Sequence, residues 1–186
     1  MSDPWDRPPA PMEGDDDEDA VYAGVGRVMT NWELIEGELT HLFATFTGVL
    51  YTELAYDQYY QRGKTTQARL AATEKAAERF FQKTPDQAVE ADFRDLIRRI
   101  SGFSERRYEV AHGVVRPMRW NERRARPANG ARQYCLVPPH YQREWLDENR
   151  MPKYGYTSKE LVDLGRALFA LAFELGTFRH RMDARS

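Results

Sequence analysis

The sequence predicts an all-α protein, a helical bundle of four main helices with an arginine-rich loop or β-hairpin inserted after the third helix. Apolar residues recur every three to four positions over four long stretches, as they do on the buried face of a helix. Between the third and fourth stretches this period stops and arginines become frequent. The helical domain is expected to span residues 20–182, with the insertion at about 114–140 and a tail at 183–186.

The net charge is only −2, but the sequence contains two segments of strong and opposite charge. Residues 1–20 hold eight acidic side chains against Arg7 alone. Residues 1–19 also contain four prolines and little apolar surface, a composition that predicts disorder. Residues 98–132 hold ten arginines against three glutamates, and such basic blocks attract polyanions.

The first main helix is predicted from Ala20 to about Gly48. The acidic residues before it suit the positive end of the helix dipole, and Gly48 suits a C-terminal cap. Residues 51–62 are aromatic and polar, and they fit either a short helix or an irregular link. The expected buried stripe of the first helix steps by three and four: Val21, Val25, Val28, Trp32, Ile35, Leu39, Leu42, Phe43 and Phe46.

The second and third main helices follow Gly63. Residues 65–83 are rich in Ala, Glu, Lys and Arg, which all favour helix. Pro85 then opens a helix that is predicted to reach about His112. The buried sides are expected at Leu70, Ala77, Phe80 and Phe81 in the second helix, and at Val89, Phe93, Leu96, Ile97, Ile100 and Phe103 in the third.

The insertion contains two segments, 114–120 and 131–137, that are typical of short strands. Asn129 and Gly130 between them favour a hairpin turn. A short helix is predicted around Gln142–Asn149.

The last main helix begins at Thr157 or Ser158, where Glu160 is placed as in a capping box. Its expected apolar face continues to about Met182. The residues of that face are Leu161, Leu164, Leu168, Leu171, Ala172, Leu175 and Phe178.

Composition excludes several classes of protein. The single cysteine, Cys135, excludes an internal disulfide and a cysteine-based metal cluster. No apolar run approaches the roughly 20 residues that span a bilayer, so we expect no membrane association. The N-terminus lacks the features of a secretory signal, which favours a cytoplasmic location. The other histidines lie far from His112 in sequence without paired spacing, so we expect neither a metal nor another cofactor.

The stretch RRYEVAHGVV, residues 106–115, places Arg107 five positions before His112 at the predicted end of a helix. Histidine suits general acid–base chemistry near neutral pH, and arginine suits the stabilisation of a phosphate. The pair is therefore a candidate for RNA cleavage without a metal, which needs a group to take the 2′-OH proton and a cation at the phosphate. The alternative is a helix that ends at Gly113, with His112 favourable to its dipole.

The spacing also predicts how these side chains point. Arg107 follows Phe103 by four residues, so it is expected along the apolar stripe, with Arg106 directed more toward solvent. Five positions correspond to about 140° around an ideal helix. Arg107 and His112 therefore meet only if the helix ends or bends near Ala111, or if a second subunit completes the site.

The segment RYEVAHG resembles the R-x4-6-H motif of the HEPN superfamily, all-α proteins in which the motif often reads R-N-x-x-A-H-G at the end of a long helix. The first helix is similar to the pattern W-x-x-I-E-x-x-L at residues 32–39. Many members are metal-independent endoribonucleases, frequently toxins or defence proteins. The resemblance implies a HEPN-like bundle, RNA as a partner, a homodimer with a composite site, and an antitoxin or regulator protein as a further partner.

Residue by residue, the resemblance assigns catalysis to Arg107 on the phosphate and to His112 as general acid or base. Glu36 matches an acidic position that orients such sites, although a glutamate beside an apolar stripe is also often solvated. Tyr108 stands where many active members have Asn, and its hydroxyl can still donate a hydrogen bond. RNA contact is expected from Arg106, Arg116, Arg119, Trp120, Arg123, Arg124 and Arg126, which combine cations with an aromatic ring.

Two other functions stay open on the sequence. Tyr108 is compatible with a catalytically inactive HEPN-like module for RNA binding or dimerisation, and the charged blocks are compatible with a helical scaffold for a protein partner. We also expect the acidic segment to fold over the basic block as a polyanion mimic. Deleting residues 1–19 would then tighten RNA binding at low salt.

Overall fold

A computed structural model describes residues 3–118, 132–139 and 143–184, and these contain five α-helices and one β-hairpin. The prediction of a mostly helical fold with a short extended insertion is confirmed. Residues 51–62, left open by the sequence, contain a helix, so the motif lies on the fourth helix and not the third. The elements are α1 (Glu18–Thr47), α2 (Thr52–Gln61), α3 (Thr66–Lys83), α4 (Gln87–His112), β1 (Val114–Pro117), β2 (Tyr134–Val137), a 3₁₀ turn (Arg143–Trp145) and α5 (Ser158–Asp183).

The chain divides into two compact units. Unit 1 contains residues 1–30 and 105–167, and unit 2 contains residues 31–104 and 168–186. Helices α1, α4 and α5 each contribute one part to each unit. The end of α4, the hairpin and the N-terminal segment therefore belong to unit 1.

The helices bury the faces that their apolar spacing predicts. In α1 the predicted positions are buried apart from Val25, and in α3 they are buried apart from Phe80; these two are half-buried. The predicted stripes of α4 and α5 are buried throughout. Burial of one large apolar side chain stabilises a fold by about 1.5–3 kcal/mol, so these stripes supply the main driving force. Gly48 has φ +72°, the left-handed conformation that ends α1 there.

Helix α4 ends at His112 as predicted, but Gly113 is not a left-handed cap. Among the described glycines, only Gly48 has a positive φ. A Cβ atom on Gly113 would lie 2.7 Å from Cγ of Leu136 and 3.0 Å from the carbonyl oxygen of Glu109. Glycine is required here because β2 packs closely against the end of the helix.

The predicted capping box of α5 is confirmed. The backbone N–H of Thr157 donates to Oε2 of Glu160 at 2.6 Å, and the N–H of Glu160 lies 3.4 Å from Oγ1 of Thr157. The short helix predicted around residues 142–149 is limited, within the described residues, to the 3₁₀ turn Arg143–Trp145.

Strands β1 and β2 pair antiparallel, and β2 has backbone partners on its other side too. Tyr134 exchanges two backbone hydrogen bonds with Asp15, at 2.9 and 2.7 Å, and Leu136 exchanges two with Tyr156, both at 2.9 Å. These contacts cover the edge of β2, which would otherwise be open to pairing with another chain. The turn predicted at residues 129–130 lies outside the described residues.

Residues 3–17, here called the N-terminal strap, pack on the rest of unit 1, so the predicted disorder of the acidic segment is wrong for this part. Arg7 contacts the carboxylate of Glu109, and the carboxylate of Asp15 accepts from the backbone N–H of Ser158 at 2.7 Å and from the Ser158 hydroxyl. Each of these pairs is separated by more than one hundred positions in sequence. Composition could not predict this order because it comes from polar partners distant in the chain.

We expect Asp15→Ala to lower the free energy of unfolding by about 1 kcal/mol, because it removes the acceptor of a backbone N–H in the first turn of α5. Chemical denaturation measures this loss. Limited proteolysis within the strap should also become faster, since a main anchor is gone.

Asp16→Ala is the matched control, because it removes the same charge at an exposed neighbouring position. It should leave the free energy of unfolding within about 0.5 kcal/mol of the wild type. An equal loss in both variants would contradict a specific anchoring role for Asp15.

Candidate functional site

His112 lies exposed as the last residue of α4, and the ring of Tyr108 packs against it. The two ring centroids are 4.4 Å apart, with their planes at 51°. This contact follows from helix geometry, because residues four apart lie on the same face. Tyr108 is itself 45% exposed. The structure therefore brings together two of the predicted site residues.

Arg107 does not share this face. Helix α4 is regular through His112, so no helix end at Ala111 turns the two side chains toward each other. They lie about 140° apart around the helix. Arg107 is half-buried, and its Nε atom is buried. Within one chain, Arg107 and His112 therefore lie on different faces of α4.

The expected orientation of Arg106 toward solvent is wrong. Arg106 is 5% exposed, and the buried stripe of α4 passes from Phe103 through Arg106 to Val110. A buried guanidinium needs anionic partners, and Nη2 of Arg106 lies 3.0 Å from Glu105 and 3.2 Å from the buried Glu109. Arg106 and Arg107 lie three and four residues after Phe103, so the spacing is compatible with burial of either one. The buried carboxylate of Glu109 determines that Arg106 is the buried arginine. The side chain of Arg106 is thus turned into the protein and away from RNA in solvent.

Glu109 is 2% exposed and gathers three side chains. Its Oε1 lies 2.7 Å from Nε and 2.5 Å from Nη2 of Arg7, which both donate to it. Nη2 of Arg106 lies near the same oxygen. Its Oε2 accepts from the hydroxyl of Tyr156 at 2.5 Å. Burial, together with the charge of Glu109, raises the pKa of Tyr156 well above its usual range, so the hydroxyl stays a donor. The cluster fixes α4, the strap and the segment before α5 to one another.

Glu36, the predicted supporting acid, is buried in unit 2 and is not solvated. Its Oε1 accepts from Arg69 at 2.6 Å, Thr66 at 3.2 Å and Trp32 at 3.3 Å. Its Oε2 accepts from Tyr59 at 3.0 Å and from Arg69 at 3.2 Å. Burial and the charge of Glu36 raise the pKa of Tyr59. Both carboxylate oxygens are occupied by side chains of the same unit, as in a structural ion pair.

Most of the predicted RNA-contacting residues fall where the placement is not described. Arg116 lies exposed on β1, opposite Cys135 in the hairpin, and Arg132 lies exposed just before β2. The described part of the insertion therefore presents cations to solvent on both sides of the undescribed segment. The predicted residues outside the described ranges are Arg119, Trp120, Arg123, Arg124 and Arg126.

No group of three or more His, Cys, Asp or Glu side chains within the described ranges is arranged to hold a metal ion. Cys135, the single cysteine of the sequence, is buried. None of the described helices has both the length and the apolar character needed to cross a membrane.

Sequence reasoning missed four residues around the motif: Arg7, Trp145, Tyr154 and Tyr156. Arg7 carried a usable signal, because it is the single cation of a strongly acidic segment and such a residue suggests a specific carboxylate partner. The three aromatic residues follow no helical or strand period. Their proximity to α4 depends on the path of the chain after β2, which spacing does not reveal.

Comparison of the chain with protein-family models, with curated proteins and with solved structures gives no match. The HEPN resemblance therefore rests on the short motif, on its position at the end of a long helix, and on the pattern in α1.

We expect the protein to lose stability as the pH rises above about 10, because an unfolded tyrosine ionises there while Tyr156 in the fold keeps its proton. The unfolded state then binds fewer protons, so the free energy of unfolding falls. Tyr156→Phe should reduce this dependence and should cost about 1 kcal/mol at neutral pH for the lost hydrogen bond. Thermal unfolding between about pH 8 and pH 11 measures both effects.

Tyr22→Phe serves as the control, since Tyr22 is exposed on α1. That variant should keep the alkaline loss of stability. An unchanged alkaline dependence in Tyr156→Phe would contradict the role given to the bond between Tyr156 and Glu109.

Proposed function

We propose that this chain is a metal-independent endoribonuclease of the HEPN type, acting as a toxin or defence protein. The observation that carries the proposal is the exposed His112 at the end of α4, held against the ring of Tyr108. His112 takes the proton of the 2′-OH and returns a proton to the departing 5′ oxygen. Arg107 stabilises the crowded phosphate. The products are a 2′,3′-cyclic phosphate and a free 5′-hydroxyl.

The proposed site is composite. A phosphate that contacts Arg107 and His112 of one regular helix would have to reach both of two side chains about 140° apart. A second copy of the chain removes this conflict, because its His112 can approach the phosphate bound by Arg107. We therefore propose a homodimer in which each site uses residues of both chains. A protein antitoxin that covers this surface would be the corresponding regulator.

A non-catalytic RNA-binding or dimerisation module is the second candidate. The contact between Tyr108 and His112 favours it, because the phenol ring covers part of the imidazole that would have to reach a ribose. In this alternative Tyr108 and His112 bind RNA together, and no bond is broken.

Purified protein is expected to cleave RNA in the presence of a chelator and to leave 2′,3′-cyclic phosphate ends. His112→Ala should reduce the cleavage rate by roughly 100- to 10,000-fold, the range for loss of a general acid or base. Arg107→Ala should reduce it by at least about 100-fold, because a charged phosphate loses its counter-charge. The cleavage rates of the wild type and of the two variants are measured by gel separation of an end-labelled RNA.

His180→Ala is the matched control, because His180 is likewise exposed near the end of a long helix. It should cleave at the wild-type rate. Equal cleavage by the wild type and by His112→Ala would rule the nuclease out. RNA binding without cleavage in the wild type would establish the second candidate.

The acidic residues after Asp15 are proposed to weaken RNA binding as a polyanion mimic. Asp16 and Asp17 are exposed and follow the residue that pairs with Tyr134, at the start of β2. Deleting the whole segment would also remove Arg7 and Asp15, so neutralisation of the exposed carboxylates is the cleaner test. Asp16→Asn with Asp17→Asn should tighten RNA binding at low salt, with the gain disappearing at high salt.

The control variant removes the same number of negative charges at a different place in the chain. Glu53→Gln with Asp57→Asn neutralises two exposed carboxylates of α2 in unit 2. If both double variants tighten RNA binding equally, the effect comes from net charge, and the strap is not a mimic.

A further inference from the structure

Four aromatic side chains of unit 1 follow one another from the surface into the interior. The ring of Tyr108 lies edge-to-face with Trp145, with centroids 6.0 Å apart. Trp145 contacts Tyr154 at 5.7 Å, and Tyr154 contacts Tyr156 at 5.8 Å. His112 adjoins the outer end of the row through Tyr108. The residue proposed as general acid or base is therefore the outermost member of a packed aromatic series.

The inner part of this row is fixed. Tyr154 is 1% exposed, and the guanidinium of Arg7 lies 4.8 Å from the centroid of its ring. Arg7 is in turn held by the buried carboxylate of Glu109. Because Trp145 packs on this fixed ring and Tyr108 packs on Trp145, both outer rings are oriented before any ligand arrives. A ligand that stacks on them loses little free energy to side-chain ordering.

The outer end of the row faces solvent next to cations. Tyr108 is exposed and Trp145 is half-buried. Arg143 lies in the same 3₁₀ turn as Trp145, and the backbone N–H of Lys153 donates to the Trp145 carbonyl at 3.0 Å. Both cations are exposed, as is Glu144 between Arg143 and Trp145, and the ammonium group of Lys153 donates to the backbone carbonyl of Glu144 at 2.7 Å. Aromatic rings bordered by cations are the usual means of binding single-stranded nucleic acid.

We propose that Tyr108 and Trp145 form a base-stacking platform that holds one unpaired nucleobase beside His112 and so restricts the site to single-stranded RNA. The proposal rests on the proposed function and names its substrate class. A base inside an RNA duplex is covered on both faces by its neighbours, whereas an unpaired base can stack on an exposed ring. A base stacked on Tyr108 brings its own ribose close to the imidazole, because the two rings are 4.4 Å apart.

The test measures equilibrium binding of a labelled 2′-O-methyl oligoribonucleotide, either single-stranded or paired with its complement. Methylation blocks attack by the 2′ oxygen, so binding is measured without cleavage. Tyr108→Leu and Trp145→Leu should each weaken single-strand binding by roughly tenfold. Trp145→Phe keeps a ring and should retain most of the affinity. Binding of the duplex should be weaker and the same in all variants.

Tyr22→Leu is the control for loss of an exposed tyrosine of unit 1 outside the row. It should leave single-strand binding unchanged. Circular dichroism shows whether each variant folds, and Tyr108→Leu, at an exposed position, carries the test should Trp145→Leu not fold.

The outcomes separate this inference from the nuclease proposal. If Tyr108→Leu and a folded Trp145→Leu bind the single strand as the wild type does, while the wild type cleaves RNA, the platform is overturned and the nuclease stands. If the leucine variants lose binding as expected but His112→Ala still cleaves at the wild-type rate, the nuclease falls and the platform stands. Absence of any binding to the single strand by the wild type overturns the platform, whereas the nuclease is decided by the cleavage assay alone.

Discussion

Unit 1 depends on the contacts that the buried carboxylate of Glu109 makes. An ionised carboxylate in the interior is costly unless cations and hydrogen-bond donors surround it, and here these come from three separate parts of the chain. Arg106 comes from the same helix, Arg7 from the strap, and Tyr156 from the segment before α5. Loss of this one acceptor would leave two guanidinium groups and a phenol without their shared partner. Through Arg7 and Tyr156, Glu109 connects the strap and the inner end of the aromatic row to α4.

Unit 2 uses the same physical solution. Glu36 is buried on α1, pairs with Arg69, and accepts a hydrogen bond from Tyr59, whose pKa is raised as that of Tyr156 is. In each unit a glutamate on a long helix holds an arginine and a tyrosine from other segments. The resemblance gave Glu36 a role in orienting the catalytic residues. Its carboxylate is already engaged within unit 2, so a stabilising role accounts for its contacts.

Much of the fold could be predicted because apolar spacing dominates the long helices. The stripes of α1, α4 and α5 are set by residues three and four apart, a local property that the sequence displays directly. The helical state of α2 could not be decided this way, since its aromatic and polar residues have no clear period. The strap was predicted wrongly because composition ignores partners: Arg7 and Asp15 are ordered by Glu109 and Ser158, both distant in sequence.

Residue spacing alone predicted only part of the candidate site. Motif spacing indicated Arg107 and His112, but the assignment of Arg106 to solvent was wrong because Arg106 is buried and pairs with Glu105 and with Glu109 inside the motif. Because Arg106 is buried against Glu105 and Glu109, Arg107 is the arginine that the proposal places on the phosphate. Because α4 continues through His112, Arg107 and His112 lie about 140° apart around the helix, which is the reason for proposing a composite site. The proposed base stacking uses one chain and the proposed bond cleavage uses two, so the two proposals for this helix end can be tested separately.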